Sequence, residues 1–243
     1  MIVFPENWKE IGVAITTADI EDRLVKVLRE IDCNALSLSG GVDSSLLLYY
    51  MCKIFRYINI FTAGLSKEHP DVMFAKSAVE YYRKIFEGVS FCHRFYYPTP
   101  DEVKDTGGEK GFLGDKTVQR FYKFAAEYTD KIIAGDTIDE YMCGYYDHMF
   151  EPTEEMYYKY IRQLHKNHLI PLNENSGEVK VYLPYADEKI IAMLSQIPLK
   201  DKVDLKHRKK IIIGLAKGKV PDEIIERRKY GFCDVLVIKE AKL

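Results

Sequence analysis

Apolar positions recur along this chain at two spacings, and the switching between them predicts its elements. Ile20, Leu24, Val27, Leu28 and Ile31 mark one face of a helix, with Thr17 or Asp19 as its cap. The short apolar run that opens Ala35-Leu36-Ser37-Leu38 reads as a buried strand, and Leu46 to Met51 begins a helix directly after it. Tyr57 to Ala63 is a second strand. His69-Pro70-Asp71 then starts a long helix whose Val72, Ala75, Val79, Tyr82 and Phe86 share a face. Phe91 to Tyr97 is a third strand, Thr117 to Tyr128 a helix and Lys131 to Ala134 a fourth strand. Strands alternating with helices predict an α/β fold: right-handed βαβ units around a parallel sheet with flanking helices. In such sheets ligands bind beyond the carboxyl ends of the strands.

The remainder is patterned differently. Glu154 to His165, Glu188 to Ile197 and Arg208 to Lys217 read as helices, and Pro221 fits the first turn of another. The first of these is rich in aromatic residues, which suits core packing. Lys206 to Lys210 reads as a solvated basic helix face, and Asn173 to Gly177 as a turn. Residues 1–33 are expected to be a leader and helix, the leader holding the single Trp8. Residues 34–150 are expected to form an α/β core, and 151–243 a largely helical C-terminal part. Pro98 to Lys116, with Gly107, Gly108, Gly111 and Gly114 among charged residues, interrupts the pattern. It reads either as a surface connection or as a lid over a site.

Two stretches carry chemistry rather than packing. In Ser39-Gly40-Gly41-Val42-Asp43-Ser44-Ser45 the glycines allow a sharp turn and close approach to a ligand. Their N–H groups and the first turn of the following helix make a nest for a polyanion. The three serines donate to phosphate oxygens, and Asp43 faces a phosphate sensibly only with a divalent cation between them. An ordinary strand-to-helix turn with a Ser or Asp cap would use fewer such residues. Gly111 to Thr117 looks a little like a Walker A loop, but Asp115 separates its glycine from its lysine.

The second stretch is Gly135-Asp136-Thr137-Ile138-Asp139-Glu140, at the end of the fourth predicted strand. Three carboxylates within five positions pack poorly but serve as metal ligands and acid–base groups. A helix start with Asp139 and Glu140 favouring the dipole is the plainer explanation when the stretch is taken alone. Beside the first stretch, on a neighbouring strand, the chemical reading prevails.

Composition narrows the function. The chain has 243 residues, 47% hydrophobic, enough for a substantial core, and 35 basic residues against 37 acidic ones. That balance supplies no global charge for nucleic-acid binding. Cys33, Cys52, Cys92, Cys143 and Cys233 are scattered, as in a protein of the reducing cytoplasm. His165 and His168 read as surface residues rather than zinc ligands. No apolar run approaches membrane-spanning length.

Ser39 to Ser44 resembles the S-G-G-x-D-S signature of the ATP pyrophosphatases, which hold the β- and γ-phosphates as a leaving pyrophosphate. Gly135, Asp139, Glu140, Gly144 and Tyr145 keep the spacing of the G-E-G-S-D-E-x-x-x-G-Y segment in the synthetase domain of glutamine-dependent asparagine synthetases. Phe61 to Leu65 with Pro70-Asp71, Leu183-Pro184-Tyr185-Ala186-Asp187, and Pro221 to Phe232 are similar to further segments of that family, in the same order. There are departures. The family's glutamate is Asp136, its next glycine is Thr137, and the arginine before P-F-L-D is Tyr182. Ile2 stands where full-length members carry the glutaminase cysteine, so a synthetase part without its glutaminase is expected.

The resemblance implies an adenine nucleotide alpha-hydrolase-like, Rossmann-like fold using ATP and Mg2+. It further implies an amide-forming ligase that adenylates aspartate or a related acid and then transfers ammonia or an amine. Residues 34–150 would then be the nucleotide-binding core, with 151–243 completing the active site. Leu38, Ala63 and Gly135 would line the adenosine, and Ser39, Gly40, Gly41, Ser44 and Ser45 would hold the pyrophosphate. Asp43 and Asp139 would hold the metal, Lys229 would stabilise charge near the α-phosphate, and Asp136 would be the base. The partners implied are a small-molecule acid and either free ammonia or a separate glutaminase subunit, with self-association left open and no membrane or nucleic acid. Within the superfamily the alternative is thiolation or amination of a nucleotide or tRNA. A nucleotide-binding regulator without turnover would not need Asp43, Asp139 and Lys229 together.

Overall fold

The computed structural model describes residues 15–104 and 114–229. The predicted alternation appears as α1 (Thr17–Ile31), β1 (Ala35–Ser37), α2 (Val42–Cys52), β2 (Tyr57–Ala63), α3 (Pro70–Ile85) and β3 (Ser90–Tyr96). Next come α4 (Pro100–Lys104), α5 (Asp115–Ala126), β4 (Lys131–Ile133), α6 (Ile138–Tyr141), α7 (Tyr146–Phe150) and α8 (Glu154–Leu164). After a wide π turn over His165–Leu169 the chain continues as α9 (Ile170–Asn175), β5 (Lys180–Tyr182), α10 (Glu188–Gln196), α11 (Leu199–Lys202), α12 (Lys210–Ala216) and α13 (Asp222–Glu226).

All strand pairs are parallel, in the order β3-β2-β1-β4-β5. This is the Rossmann-like arrangement of a doubly wound sheet. Leu36, Ile58, Ile60, Phe61, Ile132 and Ile133 are fully buried, as expected of strands covered on both faces. With the right-handed crossovers that parallel βαβ units adopt, this strand order puts α2 and α3 on one face and α5 on the other. There Phe124 of α5 meets the edge of Phe61 at 6.3 Å. The strand order reverses between β1 and β4, which opens a crevice at their carboxyl ends.

Several boundaries differ from the sequence reading for physical reasons. The cap of α1 is Thr16, not Thr17 or Asp19. Its hydroxyl accepts from the Asp19 N–H at 3.3 Å while the Asp19 carboxylate accepts from the Thr16 N–H at 2.8 Å, a reciprocal box that needs this spacing. Part of the expected 98–116 loop is helical, in α4, and the lid question concerns mainly residues 105–113, outside the described ones. The turn expected at Asn173 to Gly177 comes late, because α9 runs to Asn175 and the chain reverses at Gly177, φ +60°. Strand β5 was not foreseen. Asp187, in the segment similar to P-F-L-D, caps α10 and pairs bidentately with Arg23 of α1 at 2.8 and 2.5 Å. Its work is to join the first helix to the C-terminal part.

Candidate active site

The loop between β1 and α2 is shaped by what crowds it. Gly40 has φ +66°, and a Cβ there would lie 2.4 Å from the Ala75 amide nitrogen in α3, so no other residue fits. Ser44 Oγ lies 3.3 Å from Ser39 Oγ and donates to the Gly41 carbonyl at 3.3 Å. On the far side Arg227 donates to the carbonyls of Ser39 and Gly40 at 3.1 and 2.9 Å and pairs with Asp71 Oδ1 at 2.5 Å. A residue just past α13 therefore fixes both the loop and the start of α3.

The opposite wall begins where β4 ends. Ser44 N lies 3.4 Å from where a Gly135 Cβ would be, so the two strand ends touch through their loops. Thr137 follows in a left-handed conformation, φ +79°, and turns the chain into α6, which carries Asp139 and Glu140. Gly144 is indispensable here. A Cβ on it would sit 1.7 Å from Asp139 Oδ1 and 2.2 Å from Lys209 Cε.

Into this gap comes Lys209, its side chain 6% exposed, with Nζ 2.5 Å from Asp43 Oδ2 and 2.6 Å from Asp139 Oδ1. Lys229 Nζ pairs with the other oxygen of Asp139 and lies 4.4 Å above the Tyr145 ring. Burial raises the pKa of a carboxylate, but at Asp139 the two ammonium groups outweigh it and hold the group ionised. At Asp43 burial, aided by the facing Asp139, wins over the ammonium groups of Lys209 and Lys229, and the pKa rises. Burial would likewise depress Lys209, yet Asp139 and Asp43 together keep it charged. Lys229, its ammonium buried, is pushed down by burial and by the Lys209 charge, which Asp139 and Asp43 offset only in part.

A second cluster borders the first. Tyr145 donates to Glu140 Oε1 at 2.7 Å and stacks on Tyr160 at 4.6 Å. Burial first, then Asp139, raises Glu140. Asp136 Oδ1 lies 2.8 Å from His168 Nε2. Burial would lower the His168 imidazolium, but the Asp136 hydrogen bond and charge outweigh it and lift its pKa to about 9. His168 is thus not the plain surface residue that the sequence suggested: the π turn swings it onto Asp136 at the cavity wall.

A continuous cavity of 560 Å3 joins these groups. Leu38, Ser39, Gly41, Asp43, Ser44, Ala63, Gly135, Asp136, Asp139 and Lys229, all singled out from sequence, line it. Gly40 and Ser45 lie off the cavity wall: Gly40 abuts α3, and the fully buried Ser45 carbonyl accepts from the Tyr82 hydroxyl at 3.0 Å. Sequence reasoning missed Lys209, Arg227 and His168. Nothing local marked them, since each meets its partner only through the tertiary fold.

A profile of the family described as asparagine synthase matches residues 34–175 and 150–241. The chain belongs to the asparagine synthase family. Membership makes it an ATP-binding enzyme of the ATP pyrophosphatase type and agrees with the motif order read from the sequence. Comparison with curated proteins returns no match. Among solved structures, the U34-tRNA thiolase NcsA from Methanococcus maripaludis, with its 4Fe-4S cluster, is similar at 16% identity and a TM-score of 0.43 over 100% of this chain and 91% of that one. Among the described residues no helix is long and apolar enough to cross a membrane.

Proposed function

We propose that this family member is an AMP-forming ligase that adenylates a small carboxylic acid and transfers ammonia or an amine to it. The observation that supports this best is the meeting of Asp43, Asp139, Lys209 and Lys229 beside the Ser39–Ser44 loop, at the switch point of the sheet. Such a set suits phosphoryl chemistry, where the protein mainly positions reactants and neutralises charge.

Leu38, Ala63 and Gly135 take the adenosine, while Ser39, Gly41 and Ser44 take the pyrophosphate. The acid's carboxylate oxygen attacks the α-phosphorus, forming an O–P bond as the α–β bridge breaks and pyrophosphate leaves. Lys229 offsets the charge that develops there. The amine nitrogen then attacks the acyl carbon, the bond to AMP breaks, and the amine's proton passes to Asp136, oriented by His168.

The residues present also fit Mg2+. Asp43 Oδ1 is buried and accepts no hydrogen bond among the described residues, which leaves a carboxylate oxygen for a cation. Mg2+ ordinarily takes one or two protein carboxylates and fills its shell with phosphate oxygens and water. Asp43 and Asp139 would hold it, and when bound it supplies neutralisation of the phosphate charge. No group of three or more His, Cys, Asp or Glu forms a metal cage among the described residues. Two carboxylates suffice when the nucleotide supplies the rest.

The test is pyrophosphate release from ATP and Mg2+ with ammonium, across a panel of amino and organic acids. Release that depends on one acid class and yields AMP with an amide supports the reading. Release that depends on added RNA and on no acid would replace it with nucleic-acid modification.

A further inference from the structure

Lys209 is held in its place more firmly than an ordinary ion pair requires. Its backbone is left-handed, φ +51°, a conformation that is unfavourable for a residue with a side chain. Gly144, lacking a Cβ, leaves the space that its Cε fills. Its ammonium spans two carboxylates, at 2.5 Å from Asp43 and 2.6 Å from Asp139. Of the two carboxylates Lys229 pairs with Asp139 alone, from the other oxygen, and it is 25% exposed on its side chain. A single positive charge thus lies between the two groups assigned above to the metal.

We propose that Lys209 is a tethered counter-ion for the metal-binding pair. It keeps Asp43 and Asp139 drawn together before substrates arrive and shuts the pair to metal that comes without nucleotide. This rests on the reading of Asp43 and Asp139 as metal ligands. Two buried carboxylates facing each other without a cation would repel, and each would carry a large desolvation penalty. The ammonium removes both difficulties. Metal alone must break two short ion pairs and leave a buried ammonium without a partner. Metal arriving with nucleotide brings phosphate oxygens into the same cavity, which can accept the displaced ammonium. Metal and nucleotide therefore bind cooperatively, and the free enzyme resists metal by itself.

The experiment titrates Mn2+ into the full chain, reading free Mn2+ by electron paramagnetic resonance, with and without a non-hydrolysable ATP analogue. Lys209→Met removes the charge at similar volume, and Lys209→Arg retains it. The expected result is weak Mn2+ binding by the wild type and by Lys209→Arg in the absence of nucleotide. Lys209→Met should bind Mn2+ alone at least about tenfold more tightly and gain less from the analogue. Equal affinity of the wild type and Lys209→Met for Mn2+ alone would overturn the proposal while leaving the metal-pair reading standing. Failure of every form to bind Mn2+, even with the analogue, would overturn both. Should Lys209→Met not fold by circular dichroism, amine acetylation of the wild type read by mass spectrometry decides. Lys209 should stay protected both in the free protein and at millimolar Mg2+ without nucleotide, while exposed Lys206 is labelled throughout. Labelling of Lys209 in the free protein, or its appearance on addition of Mg2+ alone, would overturn the inference.

Discussion

Lys202 and Lys209 stand seven positions apart, both buried, at 1% and 5% exposure, and they meet opposite conditions. Lys202 lies in the helical packing between α11 and α8. Its ammonium donates to the Tyr157 hydroxyl at 2.9 Å and lies 4.2 Å from the centre of that ring. Burial lowers its pKa to about 8, opposed only slightly by the Cys143 thiol. Lys209 lies at the strand ends between two carboxylates, and their charge overrides the same burial effect. Burial of a charge is therefore no mark of a site by itself. The mark is burial together with opposite charges, a left-handed backbone, and a glycine that makes the room.

The sharpest way to break this contrast is to take the carboxylates away. Asp43→Asn and Asp139→Asn should each lower pyrophosphate formation at least about a thousandfold, of the order of losing one principal electrostatic contact or more. Each change also leaves Lys209 closer to the condition of Lys202. Circular dichroism should show the fold retained. Near-normal turnover by either variant at ordinary Mg2+ would remove the distinction between the two regions and the assignment of the site with it.

Next in size is Lys229→Ala. A lysine acting mainly on charge that develops during reaction should affect kcat/KM strongly and nucleotide affinity weakly. The expected loss in adenylation is about a hundredfold, with ATP dissociation changing less than about tenfold. Exposed Arg228, one position away in the same basic run, supplies the control. Equal and small losses for Lys229→Ala and Arg228→Ala would return the lysine to the surface.

The same contrast shows what was legible in the sequence. Tyr57 to Ala63 was readable to the residue, because a strand buried on both faces writes a local apolar run and its ends are marked by composition. The Ser39–Ser45 loop was readable because its glycines and serines have few other uses in one place. Strand β5, Lys180-Val181-Tyr182, was not, since three residues with a charge among them carry no periodicity, and its pairing with β4 is a tertiary fact. Lys209 reaches Asp43 across 166 positions of sequence and Arg227 reaches Gly40 across 187, so nothing local distinguishes either from neighbouring cations. His168 depends on a π turn, for which the sequence showed only Pro171, three positions on, a residue that donates no backbone hydrogen bond.

The smallest expected effect concerns Lys202, and its direction is opposite to that at the site. Met matches the length of the lysine stem and fills irregular apolar space well. Replacing a buried ammonium whose sole hydrogen-bond partner among the described residues is a tyrosine hydroxyl removes a desolvation cost that no carboxylate there offsets. The Tyr157 oxygen loses a donor, which returns part of the gain. Lys202→Met should therefore raise stability at pH 7 by roughly 1–3 kcal/mol while leaving pyrophosphate formation unchanged. The pH dependence fixes the cause. In the folded protein Lys202 releases its proton near pH 8, well below its ordinary value of 10.5. Between those values the unfolded chain binds the extra proton, so the wild type gains stability as pH rises through that window. Below pH 8 both states hold the proton and the penalty is present in full. The advantage of Lys202→Met should accordingly be largest at pH 7 and shrink steadily towards pH 10, as measured by urea denaturation at each pH. A gain that does not vary with pH would assign it to packing rather than charge, and a loss of stability would mean that the ammonium and the Tyr157 ring hold each other in place.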